Sequence, residues 1–129
     1  MSEPLLKPRS DYEVGVRDRK AIASREASAL ANELSQHQSN LDDHGYIVEH
    51  SNGSVAVKLG AFDIVRVTFN YADSGRHRVT NGVAEALRRG LAVDFDDASV
   101  ARYEFKVQLR HATDLFYANK SQIEALGLV

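Results

Sequence analysis

The longest regular pattern in the chain is an apolar stripe. Val16, Ala23, Ala27, Leu30, Leu34 and Leu41 recur at spacings of three, four and seven, while Arg25, Ser28, Asn32 and Gln36 fall opposite them. An α-helix gathers such a set on one face. Alanine is frequent here and proline absent, so propensity agrees, and the spacing predicts a helix over 16–41. From Ala23 to Leu41 the 4-3-4-3 spacing also matches a coiled-coil seam, with His37 at one seam position. The stripe can therefore pack on a sheet or pair with a second copy.

The period then changes from helical to alternating. Within YIVEHSNGSVAVKLG, Asn52-Gly53 predicts a two-residue hairpin turn of type I′, which needs positive φ at both central residues. Pairing outward sets His50 opposite Val55, Val48 opposite Val57 and Tyr46 opposite Leu59, all on one face. Residues 61–71 predict a third strand, with Val65, Val67, Phe69 and Tyr71 alternating against Arg66, Thr68 and Asn70. The following ADSG is turn chemistry.

A short helix is predicted next, capped by Thr80 or Asn81 and ended by Gly90, with Val83, Ala84, Leu87 and Leu91 on its inner face. Glu85 and Arg89 stand one turn apart on its outer face. Leu91–Phe95 predicts a short strand. Residues 100–110, VARYEFKVQLR, carry the clearest alternation of all. Tyr103, Phe105, Val107 and Leu109 point one way, while Arg102, Glu104, Lys106, Gln108 and Arg110 point the other. A strand with one polar face is the expectation. Near the C-terminus, Ser121 and Glu124 have capping-box spacing and Gly127 suits a helix end, so a terminal helix should bury Ile123 and Leu126. The expected fold is α+β: an antiparallel sheet of about five strands, with a long N-terminal helix and two shorter helices on one face. Residues 1–10, which hold both prolines, are expected to be a flexible arm, and 11–129 a single domain. The predicted element order resembles that of type III secretion chaperones, although no sequence motif is shared.

Composition narrows the chemistry. The chain has 129 residues, no cysteine and a formal net charge of −2. Disulfides, thiolate metal sites and a cysteine nucleophile are excluded. The apolar runs are too short to span a membrane, and MSEPLLKPRS lacks the apolar core of a signal peptide, so a cytoplasmic protein is expected. No phosphate loop or metal-ligand spacing occurs among the five histidines, and no cofactor is expected. Asp42, Asp43 and His44 cluster where a turn is predicted, and His111 with Asp114 is a conceivable orienting pair for a small enzyme.

Charge is uneven along the chain. From Arg76 to Val93 four arginines face a single acid, Glu85. Arg88 and Arg89 have a structural role near a helix end, where cations suit the dipole. Arg76, His77 and Arg78 are expected in a turn, where nothing obvious uses their charge. The expected function is therefore non-catalytic binding of another protein, in the manner of a chaperone, an inhibitor or immunity protein, or a phage or mobile-element accessory protein. Arg76, His77, Arg78, Arg88, Arg17 and Lys20 form the predicted contact surface, and a homodimer is expected. Two alternatives are nucleic-acid binding, through Arg76, Arg78, Arg88 and the first helix's Arg17, Arg19 and Lys20, and a small enzyme with a His/Asp site.

Overall fold

The computed structural model describes residues 16–90 and 92–129, and side chains from Asp18 onward. The expected arm at 1–10, the side chain of Arg17 and the inward-facing Leu91 lie outside the described residues. The elements run α1 (Val16–Ser35), α2 (Gln38–Asp43), β1 (Ile47–Ser51), β2 (Ser54–Leu59), β3 (Phe62–Thr68), β4 (His77–Asn81), α3 (Gly82–Ala86), β5 (Val93–Phe95), α4 (Ala98–Ala118) and α5 (Lys120–Ala125). The five strands form an antiparallel sheet in sequence order, β1 to β5. The α+β class is as expected, but several of its parts are not.

The sheet has two unlike faces because side chains alternate along each strand. One row runs across β2, β3, β4 and β5 through Val55, Val67, Val79 and Val93, and a second joins Val48, Val57 and Val65. Val55, Val57, Val65 and Val67 are fully buried. Helix α1 lies over β1 and β2 and helix α4 over β3 to β5, and the two helices touch each other. Ala23, Ala27, Leu30 and Leu34 of α1 are buried, so the predicted stripe is occupied within its own chain. Arg102 of α4 reaches Glu26 of α1, and Lys106 Nζ lies 3.2 Å from Glu33 Oε1. The helix predicted to reach residue 41 breaks after Ser35 and restarts as α2, which buries Leu41.

The segment predicted as the clearest strand, 100–110, is the first half of the long helix α4. Its alternation coexists with a helical period: Ala101, Phe105, Ala112 and Phe116 are all buried, whereas Tyr103 is 66% exposed. Asp97 caps the helix by accepting the Ser99 backbone N–H at 2.9 Å. Glu, Lys, Gln, Leu, Arg and Ala then favour its continuation. The fifth strand comes from β4 instead, over residues 77–81 that were expected to be a turn and a cap.

The hairpin has the predicted pairs His50–Val55 and Val48–Val57, whereas Tyr46 precedes β1 and Leu59 pairs with Phe62 of β3. Gly53 has φ +74° but Asn52 does not share a positive φ, so the turn is not type I′. Helix α3 begins at its predicted cap, Asn81, whose Oδ1 accepts the Ala84 N–H at 2.9 Å. It ends at Ala86, before Arg89, and the left-handed residue beyond it is Arg88 at φ 59° rather than Gly90. The expected Glu85–Arg89 pair is not formed. Helix α5 starts at Asn119 without a side-chain cap, so the predicted capping box is not used; Ile123 is buried and Leu126 exposed.

Two stability measurements separate these readings. Phe105→Ala should cost about 3–5 kcal/mol, while Tyr103→Ala stays within about 0.5 kcal/mol. Were 100–110 a strand, both residues would share a face and both substitutions would cost. Gly53→Val should cost about 1 kcal/mol or more by urea denaturation, because a β-branched residue resists positive φ. Its Cβ would also sit 3.4 Å from Ala23 Cβ.

Candidate functional site

The face of the sheet turned away from α1 and α4 carries the polar rows. Glu49, Ala56, Arg66 and Thr80 stand side by side across four strands, and Ser51, Ser54, Thr68, Arg78 and Asp94 across all five. Ala56 is fully buried although it lies on the face turned away from α1 and α4. Its small side chain lets Glu49 and Arg66 join above it. Arg66 also donates to Asp63 at 2.8 Å and Ser54 at 2.6 Å, and Lys58 lies 3.4 Å from Asp63. Burial pushes the Asp63 carboxyl up, but its hydrogen bonds and attraction to Arg66 and Lys58 outweigh that and hold it below the usual carboxylate range. Hydrogen bonding to Arg66 holds Glu49 low as well.

The second row centres on Arg78. It grips Asp94 through two hydrogen bonds of 2.7 and 3.0 Å, a forked geometry that fixes both side chains. Its guanidinium also lies 3.9 Å from the centroid of the Tyr71 ring. The Arg78 hydrogen bond keeps the Asp94 carboxyl below its ordinary value.

Tyr71 is held by a contorted connection between β3 and β4. Asn70, Ala72 and Asp73 all have positive φ, as does Gly75. Such a run is costly for residues with a Cβ and persists only where other contacts enforce it. Here Asn70 Oδ1 accepts the Gly75 N–H, and Tyr71 N–H donates to the Arg76 carbonyl at 2.7 Å. His77 Nδ1 accepts the Asn70 N–H at 2.9 Å from within the core.

A cavity of about 550 Å³ opens on this face between Phe62, Tyr71, Arg66, Arg78, Thr68 and Thr80. Its far wall is α3. That helix lies close because Gly82 sits where a Cβ would be 1.9 Å from the Asp63 carbonyl oxygen. Only glycine allows the contact, so Gly82 brings Glu85 and Ala86 to the cavity rim.

The residues singled out in the sequence are distributed differently from expectation. Arg78 belongs to this face. His77 is 1% exposed and points into the core, so it offers no outer surface. Arg76 lies 3.3 Å from Asp96, and Arg19 reaches the Asp73 carbonyl. The charges of Arg76 and Arg78 are thus taken up by aspartates beyond the stretch that contains them, on and just after β5. Lys20 lines a hollow beside Asn52 and Asn70, near the same turn. Arg88 follows α3, at the opposite end of β4, so the described members of the predicted surface do not form one patch. Lys20, Arg88 and Arg89 make no ion pair among the described residues. His111 and Asp114 are exposed on α4 and do not bond each other. Among the described residues no group of three or more His, Asp or Glu could hold a metal ion, and no helix is long and apolar enough to cross a membrane. Sequence reasoning missed Arg66, Asp63, Glu49 and Tyr71. The alternation of β3 placed Arg66 and Thr68 on the polar side, which was the available signal.

Two outcomes test this arrangement. Ionised carboxylates at Asp63, Asp94 and Asp97 are favoured in the fold, so their contribution is present above about pH 4 and is lost as pH falls below it. The urea midpoint should drop through that window, and Asp63→Asn should lower it at pH 7 and flatten its acid limb. Ala72→Gly should raise stability by about 0.5–1 kcal/mol, since glycine accepts φ 52° without strain. Compared with known proteins, the chain matches no family model, no curated protein and no solved structure.

Proposed function

We propose that the protein is a non-catalytic binding module that holds a partner polypeptide against the bare face of its sheet. The observation that carries this reading is the asymmetry of the sheet. One face is covered by α1 and α4, and the other presents ordered, mutually paired charges around a cavity framed by Tyr71 and Phe62. Side chains already held by neighbours lose little freedom on binding. A lattice of both signs suits a polypeptide with mixed charges and backbone amides. It suits a polyanion poorly, because Arg66 and Arg78 are each matched by a carboxylate. Among the described residues the cavity lining includes arginines, threonines and aromatic rings, a surface that suits binding. The proposed self-association falls to an outer strand, β1 or β5, because the α1 stripe is occupied.

The test compares three forms of the protein in affinity capture followed by cross-link mapping. Wild type should retain a partner cross-linked beside Tyr71 and Thr80. Tyr71→Ser with Thr80→Lys should lose it, and Tyr103→Glu, on the outside of α4, should keep it. Retention by the double variant would refute the reading. Titration with random-sequence DNA and RNA should show no binding at physiological salt. Micromolar binding that releases about three or more ions would transfer the function to nucleic acid.

A further inference from the structure

A second cavity, of about 290 Å³, opens where α2 and the start of β1 meet α4. Its walls are braced. His44 Nδ1 is 2.9 Å from the Tyr117 hydroxyl, and the His44 ring stacks on Tyr46 with centroids 5.2 Å apart. Tyr46 is buried, and its hydroxyl meets Thr113 Oγ1 at 3.3 Å. Burial pushes the Tyr46 phenol up, so it stays neutral at ordinary pH.

Two opposite charges are left over in this cavity. Arg110 and Asp114 both line it, one helical turn apart on α4. Neither forms an ion pair or a side-chain hydrogen bond among the described residues. Lys106, by contrast, is engaged with Glu33. The cavity also adjoins a hollow of about 350 Å³ that shares Asn40, Leu41, Lys106 and Leu109 and adds Leu34 beside Glu33, Gln36 and His37. Among the described residues, one unpaired cation and one unpaired anion thus line a chamber that opens onto a hollow walled in part by leucines.

We infer that this double cavity binds a free α-amino acid with an apolar side chain, Arg110 taking its carboxylate, Asp114 its ammonium and the leucine-lined hollow its side chain. A forked guanidinium matches a carboxylate, and a carboxylate matches an ammonium. A ligand carrying both charges satisfies both side chains without leaving either neighbour unbalanced. A plain carboxylate would face Asp114, and a plain amine would face Arg110.

Isothermal titration calorimetry with L-leucine, isocaproate and isoamylamine tests the inference. Isocaproate lacks the ammonium and isoamylamine the carboxylate. L-leucine should bind one-to-one, and each analogue should bind at least about tenfold more weakly, as loss of a charged hydrogen bond implies. Arg110→Gln and Asp114→Asn should each weaken L-leucine by a similar factor with unchanged melting temperature, since both residues are exposed. Tyr71→Ser, on the bare sheet face, should leave this binding intact, so the two sites fail or stand separately. Absence of heat with L-leucine, an analogue that binds as tightly, or full binding by both α4 variants would each overturn it.

Discussion

The two-residue alternation of β2, β3 and β4 is the constraint on which the rest of the structure depends. Val55, Val57, Val65, Val67 and Val79 all turn to one side, where α1 and α4 shield them from water. A shift of one residue in any pair would move valines into solvent and arginines under the helices, so the register is strongly held. The same register puts Glu49, Ala56, Arg66 and Thr80 in one line and Ser54, Thr68, Arg78 and Asp94 in the next. The bare polar face is therefore a consequence of the buried one.

What that face can do follows from how its charges are held. Exposed single ion pairs contribute little, because water screens them and long side chains must be immobilised. Here the pairs interlock. Arg66 serves Asp63, Glu49 and Ser54 at once, and Arg78 is fixed by Asp94 on one side and Tyr71 on the other. The proposed binding role would rest on shape and polarity more than on net charge, since the overall charge of the chain is only −2.

The connection from β3 to β4 shows a local cost tolerated for a global arrangement. Its run of left-handed residues is unfavourable for Ala72 and Asp73, yet buried His77, Asn70 and the Arg76 carbonyl hold the loop closed. The result is a tyrosine ring set beside Arg78. Gly82 is a second such point, at which absence of a side chain lets α3 meet β3 and form the cavity wall.

Local pattern by itself determined a good part of this protein. The α1 stripe, the hairpin pairs at Val48 and His50, the alternation of β3 and the Asn81 cap are each set by neighbours within a few residues, so they could be read before folding. The absence of cysteine likewise bounded the chemistry. Only the tertiary structure decided residues 100–110, since Phe105 belongs to an alternating set and to a helical set at once, and packing against β3 and β4 selects the helical one. It also decided the fate of Arg76, His77 and Arg78. Their neutralising aspartates arrive from β5 and the turn after it, and the buried side of His77 depends on β4 lying between β3 and β5. Pairing between strands is non-local, so a short window of sequence contains the arginines without the acids that answer them.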